Sequence, residues 1–132
     1  MSEQAKRAAR LVRLQELVEQ RAAANVARLL RAEAMAAQRR LQLFDFVETG
    51  CSTSRLAMSV AGTLERSTSA TADIRRQIEV EQGRLEQARR KREAARRLER
   101  RILAAQRDLA ARSTLEALIE DIGAKVSRKA GD

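Results

Sequence analysis

Between Glu48 and Ser54 the sequence reads ETGCSTS, and this short polar stretch is the one place where a sharp turn is expected. Gly50 can adopt the left-handed backbone conformation that closes a helix, and the Ser-Thr-Ser run that follows supplies good helix N-caps. On both sides the chain is rich in strong helix formers, and it contains no proline. The stretch therefore predicts two helices joined by a turn at about residues 49–54.

Apolar residues before the turn recur at the helical spacing of three or four. The series starts at Leu11 and ends at Val47, and only Asn25 and Arg40 interrupt it with polar side chains. This pattern predicts one amphipathic helix from about residue 4 to residue 48.

A second helical series starts at Leu56 and continues to Leu109. It crosses a weak region of serine and threonine at Ser67–Asp73, and we expect the helix to continue through it. After Arg112 the apolar residues change phase, and STLE at Ser113–Glu116 has the spacing of a capping box, which indicates a kink or restart. We expect helix two at about residues 55–122 and a disordered tail at residues 124–132.

Folding the helices back on each other at about residue 51 brings apolar residues together, for example Leu43 with Val60 and Leu29 with Ile74. The predicted fold is therefore all-α: one domain, residues 1–132, forming a two-helix antiparallel coiled-coil hairpin with a longer C-terminal helix. Asn25 falls either in the seam, where a polar residue fixes register, or at its edge in water.

The predicted register leaves the end of helix two without a partner in the chain. Helix one begins near Lys6, which would lie opposite about Arg97, yet the apolar series continues beyond that point. An unpaired apolar stripe usually marks a binding surface, and we favour docking on a partner over pairing between two such ends. The predicted partner-binding residues are the basic and apolar side chains of this end: Arg96, Arg97, Leu98, Arg100, Arg101, Ile102, Leu109, Leu115, Leu118, Ile119 and Ile122.

The composition argues against catalysis. The chain has no histidine, one cysteine (Cys51) and five scattered glycines, so it offers neither a zinc-type cluster nor a phosphate-binding glycine loop. We expect a protein that is not an enzyme and has no cofactor and no metal. One cysteine allows no disulfide within the chain, which is typical of a reducing cytosol, and no signal peptide or transmembrane span is expected.

The net charge of +9 favours an anionic partner, and the basic run ARRKREAARRLERR at 88–101 carries much of it. The run resembles the basic region of bZIP proteins, but Glu116 and Gly123 stand where zipper leucines are needed. Interleaved glutamates favour a solvated helix face first, an acidic protein partner second and nucleic acid last, at most without sequence preference.

Several segments together resemble the FliJ family of flagellar export proteins and the YscO-type stalk proteins of type III secretion. They are RRLQLFDFVE (39–48), TGCSTSR (49–55), TLE (63–65), EQGRLEQARRKREAARRLERR (81–101) and LEALIEDIGAKVSRK (115–129). The resemblance implies an antiparallel coiled-coil stalk without activity of its own. It also implies three partners, namely a hexameric export ATPase, the export gate and export chaperones, at the cytoplasmic face of the membrane. The alternatives are non-specific nucleic-acid binding and a self-associating structural coiled coil.

Overall fold

A computed structural model describes residues 2–50 and 54–131, and nearly all of them are helical. Helix α1 spans Glu3–Gly50 (48 residues), and helix α2 spans Ser54–Ala130 (77 residues). The described residues contain no β-strand, which confirms the all-α prediction. The centre of the predicted turn, Cys51 to Thr53, lies outside the described residues. Gly50, predicted to close α1 in a left-handed conformation, is the last helical residue of α1.

The described chain divides into two compact units. The central unit is Gln15–Lys91, and it combines most of α1 with the first half of α2. The terminal unit combines Met1–Leu14 with Arg92–Asp132. Each unit therefore contains one segment of α1 and one of α2.

Within each unit the two helices are packed against each other and run antiparallel. In the central unit Glu33 pairs with Arg75 (Oε1 to Nε, 3.5 Å) and Glu19 pairs with Arg89 (3.6 Å), so lower numbers in α1 meet higher numbers in α2. In the terminal unit the side-chain amide of Gln106 donates a hydrogen bond to the Ser2 hydroxyl.

These contacts lie further along α2 than the predicted register allows. That register placed Ala70 opposite Glu33, and Arg75 takes this position instead. Leu43 lines an open groove together with Thr63 and Ser67, whereas Val60 was its expected partner. The two interhelical ion pairs are shifted from the prediction by about five residues, which is slightly more than one helical turn.

The offset follows from which residues form the seam. Buried and half-buried positions alternate at spacings of three and four along both helices, an average of about 3.5 residues, whereas the predicted stripe used a period of 3.6. Leu11, Leu14 and Val18, which the prediction placed in the seam, are 37%, 55% and 44% exposed. Most seam residues of α1 are small or polar. They are Ala5, Ala8, Val12, Gln15, Glu19, Ala22, Val26, Leu29, Glu33, Ala36, Arg40 and Leu43, and the predicted series shares five of them, Ala22, Leu29, Ala36, Arg40 and Leu43.

Polar groups of the seam bond to one another. The Arg40 guanidinium donates to the hydroxyl of Thr71, a residue that is only 4% exposed, and that hydroxyl donates to the Ser67 carbonyl at 2.8 Å. Asn25 is half-buried and lines a groove beside Val18, so it lies at the edge of the seam.

Helix α2 is continuous through the weak region at Ser67–Asp73 and through Ser113–Glu116, where the sequence indicated a kink or restart. Threonine hydroxyls bond back to carbonyls one turn earlier, Thr68 to Leu64 and Thr114 to Ala110, both at 2.9 Å, so they do not cap a new helix. The helix also passes through Gly123, and the predicted end at Ile122 with a disordered tail is replaced by a helix that ends at Ala130.

Candidate partner-binding surface

The last part of α2, residues 107–131, is exposed along its whole length, and we call it the C-terminal segment. It carries six large apolar side chains that are between 54% and 63% exposed. They are Leu109, Leu115, Leu118, Ile119, Ile122 and Val126. A segment with this many solvent-exposed apolar residues has the composition of a binding surface rather than of a solvated helix.

Five of these side chains form one stripe. Leu115, Leu118, Ile119, Ile122 and Val126 follow each other at spacings of three, one, three and four residues, which places them on one face of the helix. At about 100° per residue, this face is more than about a third of a turn away from the face that packs in the terminal unit. The stripe is thus a separate surface and does not prolong the seam between the helices.

Charged residues surround the stripe. Lys125 pairs with Asp121 at 3.4 Å along the helix, and both side chains are largely exposed. Arg128 and Lys129 occupy the last turn, where positive charge interacts favourably with the carbonyl end of the helix. Ile122 and Val126 line an open groove together with these basic side chains. The result is an apolar stripe whose C-terminal end is basic.

The predicted partner-binding residues divide into two groups. Leu109, Leu115, Leu118, Ile119 and Ile122 lie in the C-terminal segment. The remaining six lie before Gln106, in the part of α2 that packs against α1: Arg96, Arg97, Leu98, Arg100, Arg101 and Ile102. Among those six, Ile102 is half-buried and Leu98 is 43% exposed.

The unpaired end therefore starts at about Arg107, and the prediction that it starts at Leu98 is corrected. Two features explain the difference. Helix α1 already begins at Glu3, and Ser2 reaches Gln106, so α1 covers more of α2 than the predicted register allowed.

Sequence reasoning missed Val126 and the basic residues beside it because the helix was expected to end at Gly123. The spacing of four between Ile122 and Val126 was the available signal. It also did not single out a group of exposed apolar residues of the central unit near the end of α1 and the start of α2, four of which are 48% or more exposed. These are Leu41 (66%), Phe44 (49%), Phe46 (48%) and Met58 (77%), and they include both aromatic residues of the chain.

Residues 2–50 and 54–131 contain neither a candidate metal-binding cluster nor a candidate membrane-spanning helix. Within these ranges, no group of three or more His, Cys, Asp or Glu residues could hold a metal ion. In the same ranges, neither helix has a stretch long and apolar enough to cross a bilayer. What the exposed residues can do is contact another macromolecule through apolar and charged side chains.

Comparison with known proteins adds no relative, because no protein-family model, characterised protein or solved structure matches the chain. The candidate surface therefore rests on the geometry of the chain itself.

Proposed function

We propose that the protein is a non-enzymatic coiled-coil stalk of a flagellar or type III protein export apparatus. In this proposal α1 and α2 form an antiparallel coiled-coil hairpin, and the C-terminal segment docks in the ring of the hexameric export ATPase. The protein links that ring to the export gate and to export chaperones. It therefore works in the cytoplasm, against the inner face of the membrane.

The observation that carries the proposal is the apolar stripe of the C-terminal segment. Five apolar side chains, all more than half exposed, share one face of the C-terminal segment, which is exposed along its whole length. Burying a Leu or Ile side chain stabilises a complex by about 1.5–3 kcal/mol. A stripe of this size supports a docking function better than a purely structural one.

The spacing of the seam supports the coiled-coil part of the proposal. Positions that are buried or half-buried repeat every 3.5 residues on average over about twelve steps of each helix, which is the heptad period of a left-handed coiled coil. The assignment to protein export rests on the sequence resemblance to the FliJ and YscO-type families. A gene for a secretion ATPase next to the gene for this chain would support it independently.

Substitution of the stripe tests the proposal. Leu118→Asp together with Ile119→Asp places two charges on the stripe and is expected to weaken binding to the export ATPase hexamer by about 100-fold or more. The unfolding midpoint should change little, because both side chains are already exposed. Leu14→Asp together with Leu17→Asp is the matched control, since these side chains are 55% and 62% exposed on α1 and lie outside the C-terminal segment. Binding should be measured by equilibrium titration and folding by circular dichroism.

Two outcomes would contradict the proposal. Undiminished ATPase binding by the double variant would show that the stripe is not the docking surface. A change from dimer to monomer in the double variant, without any ATPase binding by the wild-type protein, would assign the stripe to self-association.

A further inference from the structure

We infer that the terminal unit carries a second binding surface, which takes the phosphate backbone of double-stranded nucleic acid. The surface is separate from the stripe of the C-terminal segment and does not depend on the export function. It arises because the fold brings two basic segments together that are far apart in the sequence.

The charge of the terminal unit is concentrated where its two helices pair. Residues 2–14 and 92–107 contain three acidic residues, Glu3, Glu93 and Glu99. The same two segments contain ten basic residues: Lys6, Arg7, Arg10, Arg13, Arg92, Arg96, Arg97, Arg100, Arg101 and Arg107. These segments therefore hold most of the chain's net charge of +9. Like charges at this density repel each other, and an anionic ligand would relieve that repulsion.

Part of this charge forms one face, which we call the basic face: Lys6, Arg13, Arg96, Arg100 and Arg107, all of them exposed. On α1, Lys6 and Arg13 each follow a buried seam residue, Ala5 and Val12, by one position.

The basic residues of α2 on this face also follow seam residues by one position. Arg96 follows the buried Ala95, while Arg100 and Arg107 follow the half-buried Glu99 and Gln106. In an antiparallel pair, residues at the same offset from the seam lie on the same side. The basic residues of both helices thus share one face.

The acidic residue on this face does not neutralise it. Glu93 also follows a seam position, but its carboxylate pairs with Arg97 at 3.7 Å, and Arg97 points away from the seam. Lys6 pairs with Glu3 at 3.8 Å, between side chains that are 50% and 74% exposed. Exposed pairs of this kind contribute little and are readily exchanged for a stronger anion.

The character of the face favours duplex phosphates over a protein partner. Four of its five basic residues are arginines, whose planar guanidinium groups bind phosphate oxygens in pairs. The exposed leucines nearby, Leu11 and Leu98, precede their seam residues and so lie on the other side. Leu103 follows the seam residue Ile102 on this side but is half-buried, so the basic face has no exposed apolar centre. Protein interfaces need such a centre, whereas protein–DNA interfaces are polar and strongly positive.

Two further features indicate that the nucleic acid is a duplex rather than a single strand. No aromatic residue occurs in the terminal unit, so bases of a single strand have no side chain on which to stack. The row from Arg96 to Arg107 is about 17 Å long, and duplex DNA carries about ten phosphate charges over that length. The expected mode is backbone binding without sequence preference.

The test compares two variants that remove the same charge from the same two helices. The face variant is Lys6→Gln, Arg13→Gln, Arg96→Gln and Arg100→Gln; the control is Arg7→Gln, Arg10→Gln, Arg97→Gln and Arg101→Gln. Binding of the full chain to short random-sequence duplex DNA is measured by fluorescence anisotropy between about 50 and 200 mM salt. Glutamine keeps helix propensity high, and circular dichroism verifies that both variants are folded.

The wild-type protein should show a log–log salt slope near −4 to −5, as expected when about five phosphates are neutralised. The face variant removes four of the five charges and should reduce the magnitude of that slope by about 3.6, and the control by less than about 1. Equal reductions in both variants would overturn the assignment of a face. Equally strong competition by polyglutamate would show that the surface takes an acidic polypeptide. Binding to phosphatidylserine vesicles but not to duplex DNA would show that it takes a membrane.

Discussion

Truncating Leu29 and Leu118 to alanine in turn, and measuring the free energy of unfolding, would show directly which parts of the chain are packed. Leu29 is 4% exposed in the seam of the central unit, and Leu118 is 54% exposed in the C-terminal segment. Truncating Leu to Ala at a buried site removes about three methylene equivalents, worth about 2.4 kcal/mol at 0.8 kcal/mol each. The cavity contribution should be small, because Leu29 adjoins an open groove that Gln77 and Val80 also line.

We therefore expect Leu29→Ala to lower the free energy of unfolding by about 2–3 kcal/mol, near the lower end of measured Leu→Ala costs. Leu118→Ala should change it by less than about 0.5 kcal/mol. Urea unfolding followed by circular dichroism measures both, and repeating it at several protein concentrations separates folding from association. A cost for Leu118→Ala as large as that for Leu29→Ala would refute the exposed state of the C-terminal segment.

Three further predictions concern α2 and the seam. Gly83→Ala should raise the free energy of unfolding by about 0.5–1 kcal/mol in the same urea assay, because Gly83 is inside a helix and an added Cβ meets no atom within 4 Å. Arg40→Ala should lower the free energy of unfolding by about 1 kcal/mol, because it leaves the Thr71 hydroxyl with one hydrogen-bond partner fewer. Arg39→Ala, at the exposed neighbouring position, should lower it by less than about 0.5 kcal/mol. Amide hydrogen exchange should be fastest, within α2, at residues 107–131, where helical hydrogen bonds are unsupported by packing. Protection there equal to that of the central unit would contradict this.

The fold class could be predicted because helix formers, apolar periodicity and one polar break all agree, and the break at Glu48–Ser54 coincides with the end of α1 at Gly50 and the start of α2 at Ser54. Much of the α2 seam could be predicted as well, because large apolar residues such as Ile74, Ile78 and Leu85 occupy it. The start of the α1 seam could not be predicted: the apolar series begins at Leu11, whereas the structure packs the adjacent Val12 and leaves Leu11 partly exposed. Ala, Glu and Arg at seam positions carry almost no apolar signal, so the largest side chains gave a misleading phase.

The candidate site was predicted in part. The apolar stripe from Leu115 to Ile122 was recognised because its phase differs from that of the preceding series. The start of the unpaired end and the last residue of the stripe were missed for separate reasons. The register error moved the start from Arg107 to Leu98, and the expectation that Gly123 ends the helix removed Val126. The basic face was missed because it depends on the pairing of Lys6 and Arg13 with α2, which no local pattern reveals.

The composition of the seam also decides what fixes the alignment of the two helices. Sliding α2 by one heptad would put Glu81 in the place of Ile74 and Arg92 in the place of Leu85, so charged side chains would replace apolar ones in the seam. The slide would also separate Arg40 from Thr71 and Glu33 from Arg75. The polar residues of the seam therefore select one register, at some cost in stability. Separate peptides covering α1 and α2 should still pair in this single alignment, without the covalent link between them.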